Sequence, residues 1–578
     1  MNATMTAFGL VLAPILPLLL LLFWCVPALR PRVEVLTPWA AVPAVLLVLF
    51  GETGMRVELS WLLFGSALAM DTLTRVFLAF TALLWLGAGL YSQGMLVNDE
   101  RAGSFRLAWL ATMAGNFTLL LAVDVVTFYV GFALMTFAAY GLIIHSRDPE
   151  ALFAGRVYLI MAILGEGLII AGLLLAASRT AAPLAAMLAD IPAAVMDAPY
   201  RDLIIACFFL GFGVKAGVPL VHMWLPLAHP AAPTPASAVL SGAMIKAGLF
   251  GWMATLPFGL VALPQWGLGV ITTGFVAAFG GALIGVHQRK AKTVLAYSSI
   301  SQMGLITAGI GAGLYQPALW PALAPALALY AFHHGLAKGA LFLGVGVANQ
   351  AAAHWRFGLW LALALPGLSL AGPMVSGAVA KVSLKIVLEA GIATPTWWRY
   401  LPLLLSLAAI GTTTLIARYL WLLSQSEPRA KISGIQWLGW GLLLAVSVVG
   451  LILLPWVPTI SGIPPDPIYL PDLIWPVLVG LVLAVCASRF LRSWPVPEGD
   501  LIIVFPMAAR GVWNFLQYVL LKVTHFFIWR RQIRHQRKSV EADTRLERSD
   551  VEYLLRRNAA LVFALLLAVG LIASILNP

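Results

Sequence analysis

Five of the ten lysines in this 578-residue chain, Lys215, Lys246, Lys338, Lys381 and Lys385, fall inside long apolar runs. Placing one charged side chain at the centre of a bilayer costs about 2.5–3.5 kcal/mol on insertion scales, and more on an isolated helix. A structural ion pair could account for one such lysine; five together point to function. Desolvation disfavours the ammonium and a nearby charge restores it, so the protonation of an interior lysine can be switched. That is the chemistry of a proton relay. Tyr330, His334 and Lys338 follow one another at intervals of four residues and share one helix face. Glu166 stands in the middle of VYLIMAILGEGLIIAGLLL (157–175) with no charge near it in sequence. It is therefore protonated, paired across helices, or neutral and hydrogen-bonded to backbone.

Two of these lysines accompany sequence signals that interrupt helices. In GVKAGVPLVHMWLP (213–226), Pro219 has no N–H to offer the carbonyl of Lys215. In LPGLSLAGPMVSGAVAKVSLK (365–385), Pro366, Gly367, Gly372 and Pro373 precede Lys381. Non-helical backbone at membrane depth is tolerated only where protein or water satisfies it, so a break beside a lysine predicts a hydrated pocket. Two such breaks in matching places predict an inverted-repeat transporter. His222 and His229 lie at the end of the first broken helix and in the turn after it, where structural hydrogen bonds are expected. His333 is expected to be a packing residue. Tyr330, Lys385, Glu389 and His222 are secondary site candidates.

The elements that must hold these residues are transmembrane helices. The chain is 61% hydrophobic and only 10% charged, whereas soluble proteins have about 45–50% apolar and about 25% charged residues. Runs of roughly 20 apolar residues mark about sixteen spans, the first a retained helix rather than a cleaved signal. The segment 55–70 alternates like a strand and reads as an extra-membrane hairpin or loop. With the N-terminus outside, the inside connections up to the thirteenth span hold thirteen Lys and Arg against five outside, the bias that fixes orientation. The net charge of +12 therefore implies topology rather than a nucleic-acid partner. Cys25, Cys207 and Cys486 form no ligand or disulfide pattern and read as packing residues. Near the end, GVWNFLQYVLLKVTHFFIW (511–529) places Leu516, Val519, Leu520, Val523 and Phe527 on one face. A dense mixture of charges follows, then a last apolar run. This reads either as a cytoplasmic loop or as a helix lying on the membrane surface, pinned by the final span.

The run KAGVPLVHMWLPLAHPAAPTPASAVLSGAMIKAGLFG (215–251), with LAYSSISQMG (295–304), HHGLAKGALFLG (333–344) and GPMVSGAVAK (372–381) in that order, resembles the antiporter-like subunits of respiratory complex I. The same family serves membrane-bound hydrogenases and multisubunit cation/proton antiporters, and the HPAAP wording is most similar to the hydrogenase-4 component B branch. The resemblance is good over about residues 105–425 and loose before them. It implies that Lys215 is the inlet-side lysine of the first broken helix, Lys246 the bridging lysine, and His334 with Lys338 the central relay. Lys381 would be the terminal lysine of the second broken helix. The sequence departs from the family at three positions. Ala133, in DVVTFYVGFALM, stands where a glutamate pairs with the broken-helix lysine. Tyr330 replaces a frequent histidine, and Lys290 a frequent acid. Asp124 lies nine residues before Ala133, on the opposite face, so Glu166 is the expected substitute for the missing glutamate.

The fold expected is thus an all-α polytopic membrane protein of about sixteen transmembrane helices. It comprises N-terminal helices and a hairpin (1–100), two inverted five-helix repeats each with a broken helix (105–262 and 264–424), further helices (433–490), a lateral amphipathic helix (505–557) and a C-terminal anchor (558–578). The function expected is proton translocation in a complex I-like or hydrogenase-type assembly of a bacterial inner membrane. The partners would be other membrane subunits, further antiporter-like chains and a redox module. No cofactor, metal or catalytic residue is expected in this chain, since no CxxC, strand-linked GxGxxG or haem-spaced histidine pair is present. The alternatives are the energy-coupling subunit of a bicarbonate-uptake complex, a stand-alone broken-helix symporter, and a scaffold that lost pumping with its glutamate.

Overall fold

In hydrocarbon every backbone N–H and C=O must be satisfied within the chain, and this sequence does so with helices. The computed structural model describes residues 3–350 apart from 64, then 356–373, 375–391, 395–425, 431–453, 470–490 and 496. All of them lie in one compact unit, residues 1–502. The expected surface helix and C-terminal anchor (505–578) lie outside the described residues.

Helices α1 (Ala3–Trp24), α2 (Arg30–Leu36) and α3 (Val42–Phe50) lead to strands β1 (Arg56–Leu59) and β2 (Ser66–Ala69). The strands pair antiparallel, Arg56 opposite Ala69, so the alternation in 55–70 does encode a hairpin. Helix α4 (Thr72–Met95) starts where Asp71 caps the Thr74 N–H. The next stretch contains α5 (Ala102–Leu121), α6 (Val125–Ile143), α7 (Pro149–Ala177), the short α8 (Ile191–Met196), α9 (Arg201–Ala216) and α10 (Trp224–Ala231). It closes with α11 (Thr234–Val239), a π-helical turn (Leu240–Met244) and α12 (Ile245–Thr255). The stretch after it contains α13 (Pro264–Val286), α14 (Ala291–Tyr315), α15 (Trp320–Ala348), α16 (Arg356–Ala371), α17 (Val375–Ala390) and α18 (Leu401–Ser424). In both stretches the third helix is 29 residues long and the fourth span is broken. Helices α19 (Gly434–Leu453) and α20 (Leu470–Phe490) complete the described chain.

Among the described residues, nine helices are long and apolar enough to cross a membrane, or ten with the bent pair Pro27–Leu36 and Pro38–Phe50. The sequence count of about sixteen is higher because it includes spans that such a criterion divides or rejects. The first broken span, α9 and α10, is split and drops out, whereas the second counts once as Phe357–Ala390, and His333, His334 and Lys338 interrupt the apolar run of α15.

The connections segregate to two ends of the bundle. At one end the hairpin touches residues 122–124 and these touch 186–188, through Val123 N–H to Ala67 O (3.0 Å) and Leu188 N–H to Val123 O (2.8 Å). Asp124 pins that junction, accepting from the Ala67 and Thr127 N–H groups. Its role is a helix cap, in keeping with its exclusion as a replacement for the missing glutamate. The same end continues through Trp266 Nε1 to Asp202 (3.0 Å) and Leu263 N–H to Leu314 O. At the other end lie the ion pairs Arg106–Glu34 (3.0 Å), His145–Asp99 (2.8 Å) and Lys290–Glu150 (3.0 Å). Lys290, which stands where relatives often have an acid, thus has a carboxylate partner here. Loops that the charge count assigned to opposite sides do stand at opposite ends.

Candidate functional site

The first break forms at Gly217. Its φ of 82° is the left-handed conformation that glycine adopts without strain, and the N–H groups of Gly217 and Val218 both donate to Gly213 O. Helix resumes only at Trp224, whose indole N–H donates to the freed Val214 carbonyl (2.7 Å). The break thus starts two residues before Pro219, which then prevents the helix from continuing. Lys215, 2% exposed, lies in the last turn before it. Its Nζ donates to Tyr158 Oη (2.8 Å) and sits 4.7 Å from that ring and 5.7 Å from the Trp224 ring. His222 is buried within the interrupted segment.

Glu166 is 4% exposed, whereas Ile160, Ile163, Leu164 and Leu174 of the same helix are 55–65% exposed. The carboxylate is therefore on the interior face of α7, opposite its lipid-facing stripe. Electrostatically it acts on Lys215, on Tyr158 and on Tyr129, and the Thr136 hydroxyl lies beside it. Tyr129, Ala133 and Thr136 are spaced i, i+4, i+7 along α6, so Ala133 lies on the stripe that flanks Glu166. Close packing of α7 on α9 sets this neighbourhood: a Cβ on Gly165 would stand 3.1 Å from Val214 Cβ and 3.2 Å from Gly211 O. Neither carboxylate oxygen has a hydrogen-bond partner of ordinary length among the described residues.

The centre of the site bridges the two helical stretches. The π-helical turn precedes Lys246, and Lys246 Nζ donates to Ser241 O within that turn (2.6 Å). Ser241 Oγ lies 2.7 Å from Ser299 Oγ of α14. Ser299 Oγ donates to Leu295 O (3.0 Å), so Ser241 is the donor in the hydroxyl pair. Lys338 Nζ donates to the same Leu295 carbonyl (2.9 Å). Ser241, Ser299 and the Leu295 carbonyl therefore place polar groups between Lys246 and Lys338, both 0–1% exposed. Crossing glycines permit it, since a Cβ on Gly242 would stand 2.9 Å from Gly335 O and one on Gly335 2.8 Å from Gly242 O. Gly335→Val should accordingly destabilise the protein by more than the ~1–3 kcal/mol of ordinary overpacking, because the obstruction is backbone. Thermal unfolding in detergent checks this, and an unchanged midpoint would contradict the packing argument.

His334 and His229 are buried, and none of their ring nitrogens has a hydrogen-bond partner among the described residues. The structural hydrogen bonds expected of His229 are thus not found; its ring lies 4.8 Å from Phe342. His333 also departs from expectation. Rather than merely packing, its Nδ1 meets Ser376 Oγ at 3.0 Å, because the second break turns the Ser376 hydroxyl toward it.

That break lies at Gly372 (φ 132°) and Pro373, while Pro366 sits inside α16 without interrupting it. Ser369 and Ser376 span it through their hydroxyls (2.8 Å), and the Gly377 N–H donates to Ser369 Oγ (3.1 Å). Lys381 Nζ donates to Ala371 O, the last carbonyl before the break (2.7 Å). Tyr330 Oη donates to Gln302 Oε1 (2.9 Å). Lys385 pairs with Asp472 of α20 and lies 3.9 Å from Glu389. Sequence reasoning missed Tyr158, Thr136, Ser241, Ser299 and Asp472. Uncharged hydroxyls carry no sequence signal of function, and Asp472 opens its helix as an ordinary first-turn acid would.

Fold and site define a polytopic membrane protein whose interior lysines stand beside two broken helices. The family described as NADH:quinone oxidoreductase/Mrp antiporter, TM matches residues 122–380 of the chain. Hydrogenase-4 component B of Escherichia coli K12 is 31% identical over 290 residues, 48% of this chain and 43% of that protein. NADH-quinone oxidoreductase subunit M of Pseudomonas aeruginosa is 31% identical over 320 residues, 52% of this chain and 61% of that protein. The chain spans about half the length of the curated relatives it matches. A chain of the Mrp complex from Dietzia sp. DQ12-45-1b shares its fold, with a TM-score of 0.74 at 22% identity over 98% of this chain and 63% of that one.

Proposed function

We propose that this chain is the proton-translocating, antiporter-like subunit of a multisubunit membrane complex of the complex I, hydrogenase or Mrp type, with no catalytic site of its own. The observation that carries this reading is the polar bridge between Lys246 and Lys338: Lys246 on the Ser241 carbonyl, the Ser241 hydroxyl on Ser299, and Ser299 and Lys338 both on Leu295 O. It joins helices of the two stretches, 105–262 and 264–424. Five crossings each make the second stretch inverted relative to the first, which supports reading them as inverted repeats. Amines, hydroxyls and imidazoles exchange protons, whereas three buried lysines repel Na+. The relay runs from Lys215, with Glu166 as its counter-charge, through Lys246, His334 and Lys338 to Lys381. The hairpin end is poorer in Lys and Arg, which supports an orientation with that end and the N-terminus outside a bacterial cytoplasmic membrane.

Affinity purification from membranes in mild detergent, with mass-spectrometric identification of the partners, tests the assembly. Further antiporter-like chains and a redox or ion-exchange module are expected to co-purify. Recovery of this chain alone, still active as a transporter, would contradict the reading and support a symporter.

A further inference from the structure

Lys381 differs from the other relay lysines in its surroundings. Lys215, Lys246 and Lys338 are at most 2% exposed, whereas Lys381 is only partly buried. It opens onto a cavity lined also by Tyr330, Ser406, Lys385, Asp472 and Leu473. Lys385 follows Lys381 by one helical turn, so the two ammonium groups share a face of α17. Lys385 pairs with the carboxylate of Asp472 and lies 3.9 Å from Glu389. Its side chain is 14% exposed and that of Asp472 is 48% exposed, so the pair stands where the cavity meets the outside. Asp472 comes from α20, beyond the residues 122–380 that match the family. Both partners lie toward the hairpin end of the bundle: α17 runs into Trp398, which packs on Tyr315 beside the Leu263–Leu314 contact.

We propose that the Lys385–Asp472 pair is the outer gate of the proton path, with Asp472 as the positioning residue that draws the Lys385 charge away from Lys381. The inference rests on the proton-translocating reading above. With the pair closed, two side chains fill the mouth of the cavity and the Lys385 charge is compensated. Without the carboxylate, Lys385 loses that hold and turns toward Lys381 more readily, and like-charge repulsion at one-turn spacing opposes protonation of Lys381. Removing both charges removes that repulsion, so a double neutral variant works better than the single one. A role in packing alone predicts the reverse order, since the double variant loses more native contacts.

The test is proton uptake by sealed vesicles carrying the intact complex, with rates taken per assembled complex. Three variants are compared: Asp472→Asn, Asp472→Asn with Lys385→Gln, and Lys246→Ala as a marker of the relay itself. Asp472→Asn should slow uptake about tenfold, and the double variant should recover at least half of the wild-type rate, roughly the loss expected when the gate repulsion is gone. Wild-type uptake by Asp472→Asn while Lys246→Ala is inactive would overturn the gate and leave the relay standing. Full uptake by Lys246→Ala would overturn the relay, and the gate with it. If Asp472→Asn does not assemble, the double variant decides: at least half the wild-type rate supports the gate, and a rate no better than Lys246→Ala overturns it.

Discussion

Glu166→Gln should slow proton translocation by about tenfold or more, a loss of at least ~1.4 kcal/mol of coupling, without preventing assembly. A broken-helix lysine needs a counter-charge whose interaction with it can change, because that change decides whether the lysine holds or releases its proton. Relatives resembled by this sequence place the carboxylate on the helix that here carries Ala133. In this chain Glu166 is the carboxylate acting on Lys215, and it is buried on the interior face of α7. Lys215 meanwhile donates to Tyr158, two turns before Glu166 on the same helix. One helix thus supplies both the phenol that Lys215 bonds and the carboxylate that acts on it electrostatically. Glutamine keeps the shape of Glu166 but neither its charge nor its exchangeable carboxyl proton. Ala133 shares a stripe of α6 with Tyr129 and Thr136, both neighbours of Glu166, so Ala133→Glu in the Glu166→Gln background should restore part of the rate. The check is vesicle proton uptake normalised to assembled complex. Full activity of Glu166→Gln would remove the proposed switch and favour a scaffold without pumping.

What the sequence disclosed was governed by cost. An interior lysine is expensive, so each of Lys215, Lys246, Lys338 and Lys381 stood out, and all four lie in the interior or at a break. Glu166 stood out for the same reason. Breaks were legible as proline and glycine in apolar runs, though at the first of them Gly217, rather than Pro219, ends the helix. Hydroxyls cost little to bury when they can donate to a helix carbonyl one turn back, as Ser299 does. Ser241 and Ser299 therefore looked like filler, and only the crossing of the π-helical turn on α14 reveals them as a bridge. His333 and His334 could be ranked only by helix face, and that ranking failed for His333. Its partner Ser376 lies beyond a break whose geometry a face count does not contain. Asp472 was invisible for a third reason, since its partner is 87 residues away in sequence.

Lys246→Ala should have the largest effect of any single change. Lys246 stands at one end of the polar bridge formed by Ser241, Ser299 and Leu295 O, with Lys338 at the other. A methyl group can neither carry a proton nor hold the Ser241 carbonyl, and no neighbouring side chain on α12 reaches that carbonyl among the described contacts. Assembly should survive, because the change removes a buried charge and leaves the Gly242–Gly335 crossing intact. The purified complex, sealed into vesicles with its redox or ion-exchange partners, offers the direct measurement: the proton gradient built on energisation, read with a pH-sensitive dye, by wild type and by Lys246→Ala at equal loading. The relay predicts a gradient for the wild type and none for the variant, with partner activity retained. An equal gradient from both would contradict it.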